Sequence, residues 1–267
     1  MMKKIGQIFY ISLILIFIYA PIFTLVLYSF VDTPIVSISA AFEKGFSLNL
    51  YEKLFNDAAL MKIVWDTLIL AVVVAIIATI LGTLGAIGIF YSKGKLGKTV
   101  SAASRIPVIN AEIVTAVALV ILFAFLFSES RSYIAMVVGH LVITTPFVVL
   151  SVIPKLKQMD PNLYEAALDL GASPFKALMS VVLPEILSGI LSGFMLSVTL
   201  SLDDYIISAY TKPAGFDTIS TYVYGAMAKS NANSSLPALR ALSAIIFVVI
   251  ILVVVAKNIR TNIKEGK

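Results

Sequence analysis

Apolar residues fall along this chain in long unbroken runs, without the strict alternation of a half-buried strand. Six of the runs reach or approach the roughly 20 residues that a helix needs to cross a hydrocarbon core. They cover 8–30, 63–91, 106–127, 133–153, 186–209 and 239–256, and polar, charged segments separate them. The pattern predicts an all-α polytopic membrane protein with six transmembrane helices. The chain 1–267 reads as one membrane domain, with no separate soluble one.

Composition closes off the soluble alternative. Hydrophobic residues make up 60% of the chain and charged ones 13%, too little polar surface to coat a globule of this size. Cysteine is absent, so disulfides, thiolate metal sites and thiol redox chemistry are excluded. The opening run is too long for a signal peptide, lacks a small-residue cleavage site and reads as a retained first span.

Six spans put both termini on one side, and basic residues say which. Thirteen of the 20 lysines and arginines fall on the side of the termini: Lys3, Lys4, Lys93, Lys95, Lys98, Arg105, Lys155, Lys157, Lys176, Lys257, Arg260, Lys264 and Lys267. The positive-inside rule makes that side cytoplasmic. The net charge of +5 is accounted for by this asymmetry and by lipid headgroups, and gives no reason to invoke nucleic acid.

Within the spans, small residues recur every fourth position: Ala78, Gly82 and Ala86 in the second, Gly189, Gly193, Ser197 and Ser201 in the fifth. Such stripes let helix backbones approach closely and are read as packing seams. Pro21, Pro107 and Pro146 read as kinks or helix starts. Three acids lie inside spans, Glu112, Asp203 and Asp204, with no Lys or Arg well inside any span to neutralise them. Charges at that depth usually face a bundle interior or an aqueous path, and uncompensated carboxylates suit a cationic cargo. Two other readings stay open: Glu112 as a helix-start acid at the interface or paired with another subunit, and the two aspartates as solvated residues beyond an early span end. His140, the only histidine, reads as an interhelical hydrogen-bond partner. No metal or catalytic constellation exists, and Trp65 and Asp66 look interfacial.

The segment 160–184, the longest connection on the cytoplasmic side, carries the strongest local signals. Asp160 and Pro161 offer an N-cap and a first-turn proline, and Leu163, Ala166, Ala167 and Leu170 form one apolar face. Gly171 supplies a left-handed cap, and Ser173 with Pro174 opens a second short helix running to Pro184. The expected product is a bent helical hairpin outside the bilayer.

The string EAALDLGASPFKALMSVVLPEILSGI resembles the EAA loop of bacterial ABC importer permeases, with Glu165, Ala166, Ala167, Gly171, Leu183 and Pro184 at matching positions. The strings YAPIFTLVLYSF, AEIVTAVALVILF, HLVITTPFVV and LSVTLSLDDYIISAYT extend the resemblance over nearly the whole chain, to the second of the paired permeases of spermidine/putrescine importers. Some members carry Trp where Leu50 precedes Tyr51 here, which puts an aromatic contact of the first external segment in doubt.

The resemblance implies a type I importer permease fold in a bacterial inner membrane. It implies a homologous sister permease, two cytoplasmic ATPase subunits that bind ATP and magnesium, and an extracytoplasmic polyamine-binding protein. Glu165, Ala166, Ala167, Gly171 and Pro184 are the implied ATPase-coupling residues. Ser201, from the Ser-Leu-Asp-Asp element, joins Glu112, Asp203 and Asp204 as candidate substrate-path residues. The chain has no phosphate-binding GxxxxGK[ST] loop, so it is expected to bind no cofactor and to hydrolyse no ATP itself. Importers of ferric iron, thiamine or other small amines share much of the pattern and stay open as alternatives. An ion-gradient carrier is the alternative from a different class, disfavoured by the docking loop and by the lack of paired discontinuous repeats.

Overall fold

The structure is a computed structural model that describes residues 2–32, 45–92, 95–127, 131–160, 162–228, 238–248 and 251. The described residues pack as two units, one running Ile63–Tyr222 and the other made by the chain on either side of it.

The flanking unit begins with α1 (Met2–Tyr28), which continues through Pro21, and α2 (Asn49–Asn56). None of Phe9–Tyr28 is buried, so a whole apolar cylinder is left for other apolar matter to cover. After α1, the buried Ser29 hydroxyl lies 2.7 Å from the Tyr51 hydroxyl, and the Tyr51 ring packs 5.3 Å from Phe30. Leu50 is fully buried beneath α2, so the aromatic contact of this segment is made by Tyr51.

The larger unit takes in most of α3 (Ala58–Tyr91), then α4 (Lys95–Ala103), α5 (Ile106–Ile109), α6 (Glu112–Phe127) and α7 (Tyr133–Gln158). It continues through α8 (Asn162–Asp169), α9 (Pro174–Ala177), a π-helical turn Leu178–Val182, α10 (Leu183–Glu185), α11 (Leu187–Asp203), α12 (Ile206–Thr211) and the start of α13 (Ile219–Ala228). Back in the flanking unit, α14 (Ala238–Val248) buries Ala238, Leu239, Ala241, Leu242 and Ala244.

The small-residue stripes are packing seams, as their spacing suggests. A Cβ on Gly82 of α3 would stand 2.6 Å from Val148 Cβ, and one on Gly193 of α11 would stand 3.1 Å from the Val148 Cα. Val148 of α7 is thus gripped by glycines from two helices, and Gly189 gives way in the same manner to the Lys155 stem. Ala78 and Ala86 join Val148, Val149, Val152, Leu156 and Ile186 in one buried cluster.

Helices α1, α3 and α7 are each long and apolar enough to cross a membrane, and two bent pairs raise the number to five. The third run is not one helix. Segment 99–109 and α6 meet at 107°, because Asn110 turns extended (φ −76°, ψ 148°) and its amide donates to Thr115 Oγ1 at 3.3 Å. Hydropathy does not register a single extended residue of this kind. The fifth run also breaks, α11 ending at Asp203 and α12 starting at Ile206 after two intervening residues. Of the sixth run, residues 249, 250 and 252–256 lie outside the described ones.

Candidate functional site

Two places hold the residues singled out by chemistry, and the hairpin 160–184 is the first. The Asp160 carboxylate accepts from the Asn162 N–H at 2.9 Å, which starts α8. At the other end Gly171 has φ +84°, the Gly171 N–H donates to Leu168 O at 2.9 Å, and the Ala172 N–H donates to Ala167 O at 3.0 Å. That pair of bonds is a Schellman cap, whose left-handed residue costs glycine nothing. Ser173 then caps α9, its hydroxyl accepting from the Lys176 N–H at 3.3 Å, with Pro174 in the first turn. Pro184 has no N–H for the Ser180 carbonyl and its ring crowds that turn, which accounts for the π-helical widening just before it.

The hairpin's outer surface is open. Glu165, Ala166, Gly171 and Pro184 are exposed and Ala167 is half-buried, while Leu170 and Phe175 present 89% and 68% of their surfaces. Two large apolar side chains so exposed beside small alanines make an open apolar patch. On the inner side Ala177, Val182 and Ile186 are buried, and Tyr164 rests against Tyr91 at the end of α3 at 5.3 Å. The inner side of the hairpin thus packs into one apolar cluster with α3, α7 and α11.

The second place is the end of α11. Asp203 is exposed, whereas the Asp204 carboxylate is buried and accepts from the N–H groups of Ile207 at 3.2 Å and Ser208 at 2.8 Å. The His140 ring of α7 lies fully buried between the two helices. Its Nδ1 is 2.9 Å from Ser201 Oγ, and its Nε2 is 3.0 Å from Ser208 Oγ and 3.5 Å from Asp204 Oδ2. Glu112 is exposed in the first turn of α6, just past the Asn110 bend, so the interfacial helix-start position fits it. Neither Glu112 nor Asp203 has an ion-pair partner among the described residues.

The structure thus brings Ser201 and Asp204 together, separates Asp203 from them, and keeps Glu112 on a different helix. His140 is the interhelical partner its isolation suggested. Ser208 and Gly139 complete the cluster without any sequence signal of their own, although an aspartate four residues before a serine does fit a helix start. Among the described residues no group of His, Cys, Asp and Glu is placed to hold a metal ion.

Comparison with known proteins concerns the chain as a whole. Residues 113–264 match the family described as binding-protein-dependent transport system inner membrane component. The chain is 31% identical over 221 residues to the putrescine transport system permease protein PotI of Escherichia coli K12, covering 79% of this chain and 76% of that one. It is 31% identical over 219 residues to the spermidine/putrescine transport system permease protein PotC of Haemophilus influenzae, covering 82% and 83%. Among solved structures, a bacterial ABC transporter importing the acidic polysaccharide alginate superposes with a TM-score of 0.68 at 17% identity, over 100% of this chain and 96% of that one. The inward-facing methionine transporter MetNI superposes at 0.59 with 20% identity, over 78% and 95%. The last two likenesses concern the fold.

Proposed function

The chain belongs to the family of binding-protein-dependent transport system inner membrane components, and from that premise we propose that its cargo is a polyamine of the spermidine or putrescine type. It is the membrane-embedded permease of an ABC importer. One observation carries the choice of cargo: relatives whose names specify putrescine and spermidine match about four-fifths of this chain. The exposed carboxylates of Asp203 and Glu112, each without an ion-pair partner among the described residues, add chemical support. A polyamine sheds water from several ammonium groups on entering a low-dielectric passage, and fixed carboxylates replace part of that hydration.

In this reading the permease pairs with a homologous sister subunit, receives cargo from an extracytoplasmic binding protein and takes its work from two cytoplasmic ATPase subunits. The 160–184 hairpin, with Glu165, Ala166, Ala167, Gly171 and Pro184, is the part that the ATPase grips. Its exposed Leu170 and Phe175 supply the apolar contact, and the rigid cap at Gly171 passes displacement on to α11. Both termini lie in the cytoplasm, following the basic residues.

The test is uptake by the assembled transporter in proteoliposomes, with ATP enclosed on the ATPase side. Binding protein loaded with radiolabelled spermidine or putrescine should drive accumulation that stops without ATP, and excess unlabelled polyamine should abolish it. Uptake of thiamine or a ferric complex in place of polyamines would overturn the cargo. Uptake driven by an ion gradient with no ATPase present would overturn the importer mechanism.

A further inference from the structure

We propose that His140 is a positioning residue that clamps the end of α11 to α7, so that Asp204 serves as an internal anchor and Asp203 alone of the aspartate pair meets the cargo. This deepens the polyamine reading, on which the role given to Asp203 rests.

A buried carboxylate at membrane depth needs donors. Asp204 has two backbone N–H groups from the first turn of α12 and the His140 Nε2 nearby, with only 2% of its side chain exposed. The imidazole proton is assigned to Nε2, which faces both the Ser208 oxygen and the acceptor-only carboxylate. Nδ1 then accepts from the Ser201 hydroxyl. One ring from α7 thereby holds a residue of α11, a residue of α12 and the break between them. Every lone pair committed to this network is unavailable to a passing ammonium group.

Helix geometry does the rest. Ser201 and Asp203 are two residues apart, about 200° around the helix, so fixing Ser201 against α7 turns Asp203 away from it. The observed burial agrees, with Ser201 2% exposed and Asp203 an exposed residue. The adjacent glycine makes the clamp possible. A Cβ on Gly139 would collide with Ile207 Cγ2, so only glycine lets α12 lie close enough for Ser208 to reach the ring.

The experiment reads the clamp without using cargo. Thr211→Cys places a single thiol at a fully buried position of α12, outside the network, in a chain with no other cysteine. In the assembled transporter in nanodiscs, that thiol should react with N-ethylmaleimide slowly. Adding His140→Ala should speed the reaction at least about tenfold, since two buried hydrogen bonds are lost. His140→Gln, which keeps a donor near Ser208, should restore most of the protection, and Gly139→Ala should remove it. Asp203→Asn should leave labelling slow while raising the half-saturating concentration for spermidine uptake. Equal labelling in the wild-type, His140→Ala and Gly139→Ala backgrounds would overturn the clamp. If His140→Ala does not assemble, the contrast between His140→Gln and Gly139→Ala decides on the same criterion. Unchanged spermidine uptake by Asp203→Asn would overturn the role given to Asp203. Absence of polyamine uptake by the unaltered transporter would overturn the cargo and leave the labelling result standing.

Discussion

At Gly171 the cost of substitution is set by backbone alone. The residue has φ +84°, and a Cβ built on it meets nothing within 4 Å. Alanine there pays only the left-handed penalty of roughly 1–2 kcal/mol, valine adds β-branched strain, and asparagine tolerates the conformation. ATP-driven uptake should fall in the order Gly, Asn, Ala, Val, with cargo capture by the binding protein unchanged. The measurement is transport together with ATPase co-purification from assembled complexes. Wild-type uptake by a correctly assembled Gly171→Val complex would remove the hairpin from the coupling path. The steric account at Gly139 is of the opposite kind, because there the neighbour decides and the backbone does not.

Among the elements, α7 is the post against which α3 and α11 are packed, and the contacts are made where side chains are smallest. Gly82→Ala drives a Cβ to 2.6 Å from Val148 and 3.1 Å from the Thr145 carbonyl, an overpacking that should destabilise by about 1–3 kcal/mol. Gly88 sits on the same helix in open space, so Gly88→Ala should be neutral or stabilising by up to about 1 kcal/mol through helix propensity. Thermal unfolding of the two variants in one detergent checks the contrast. A lower midpoint for Gly88→Ala than for Gly82→Ala would show that the seam does not carry the α3–α7 contact. The bends belong to the same scale. The 107° elbow falls at the extended Asn110, and the 70° turn between 174–185 and α11 falls at Ile186, two residues after Pro184.

For the molecule as a whole, charge and exposure have to be satisfied by surroundings. Helix α1 leaves Phe9–Tyr28 entirely unburied, a surface that only lipid or another apolar helix can cover. The orientation proposed from the basic residues is tested by Asn162→Cys at an exposed position of the hairpin. An impermeant maleimide should label this thiol only after the cells are permeabilised. Labelling in intact cells would reverse the orientation and, with it, the assignment of the hairpin as the ATPase contact.

Hydropathy was enough to show a helical membrane protein, since lipid imposes one composition on every residue that faces it whatever the neighbours are. Local chemistry was enough for the hairpin, because Asp160, Gly171, Ser173 and Pro174 act on their own backbone within four residues. The stripes of Ala78, Gly82, Gly189 and Gly193 were legible as seams, but that Gly82 and Gly193 share Val148 as their partner was not, because spacing along one helix says nothing about which helix lies opposite. The aspartate pair is where sequence ran out. Adjacent, chemically identical residues acquire opposite fates only when His140, 63 positions before Asp203, and Ser208 are brought around one of them. That partition depends on contacts between separate helices, which folding alone creates.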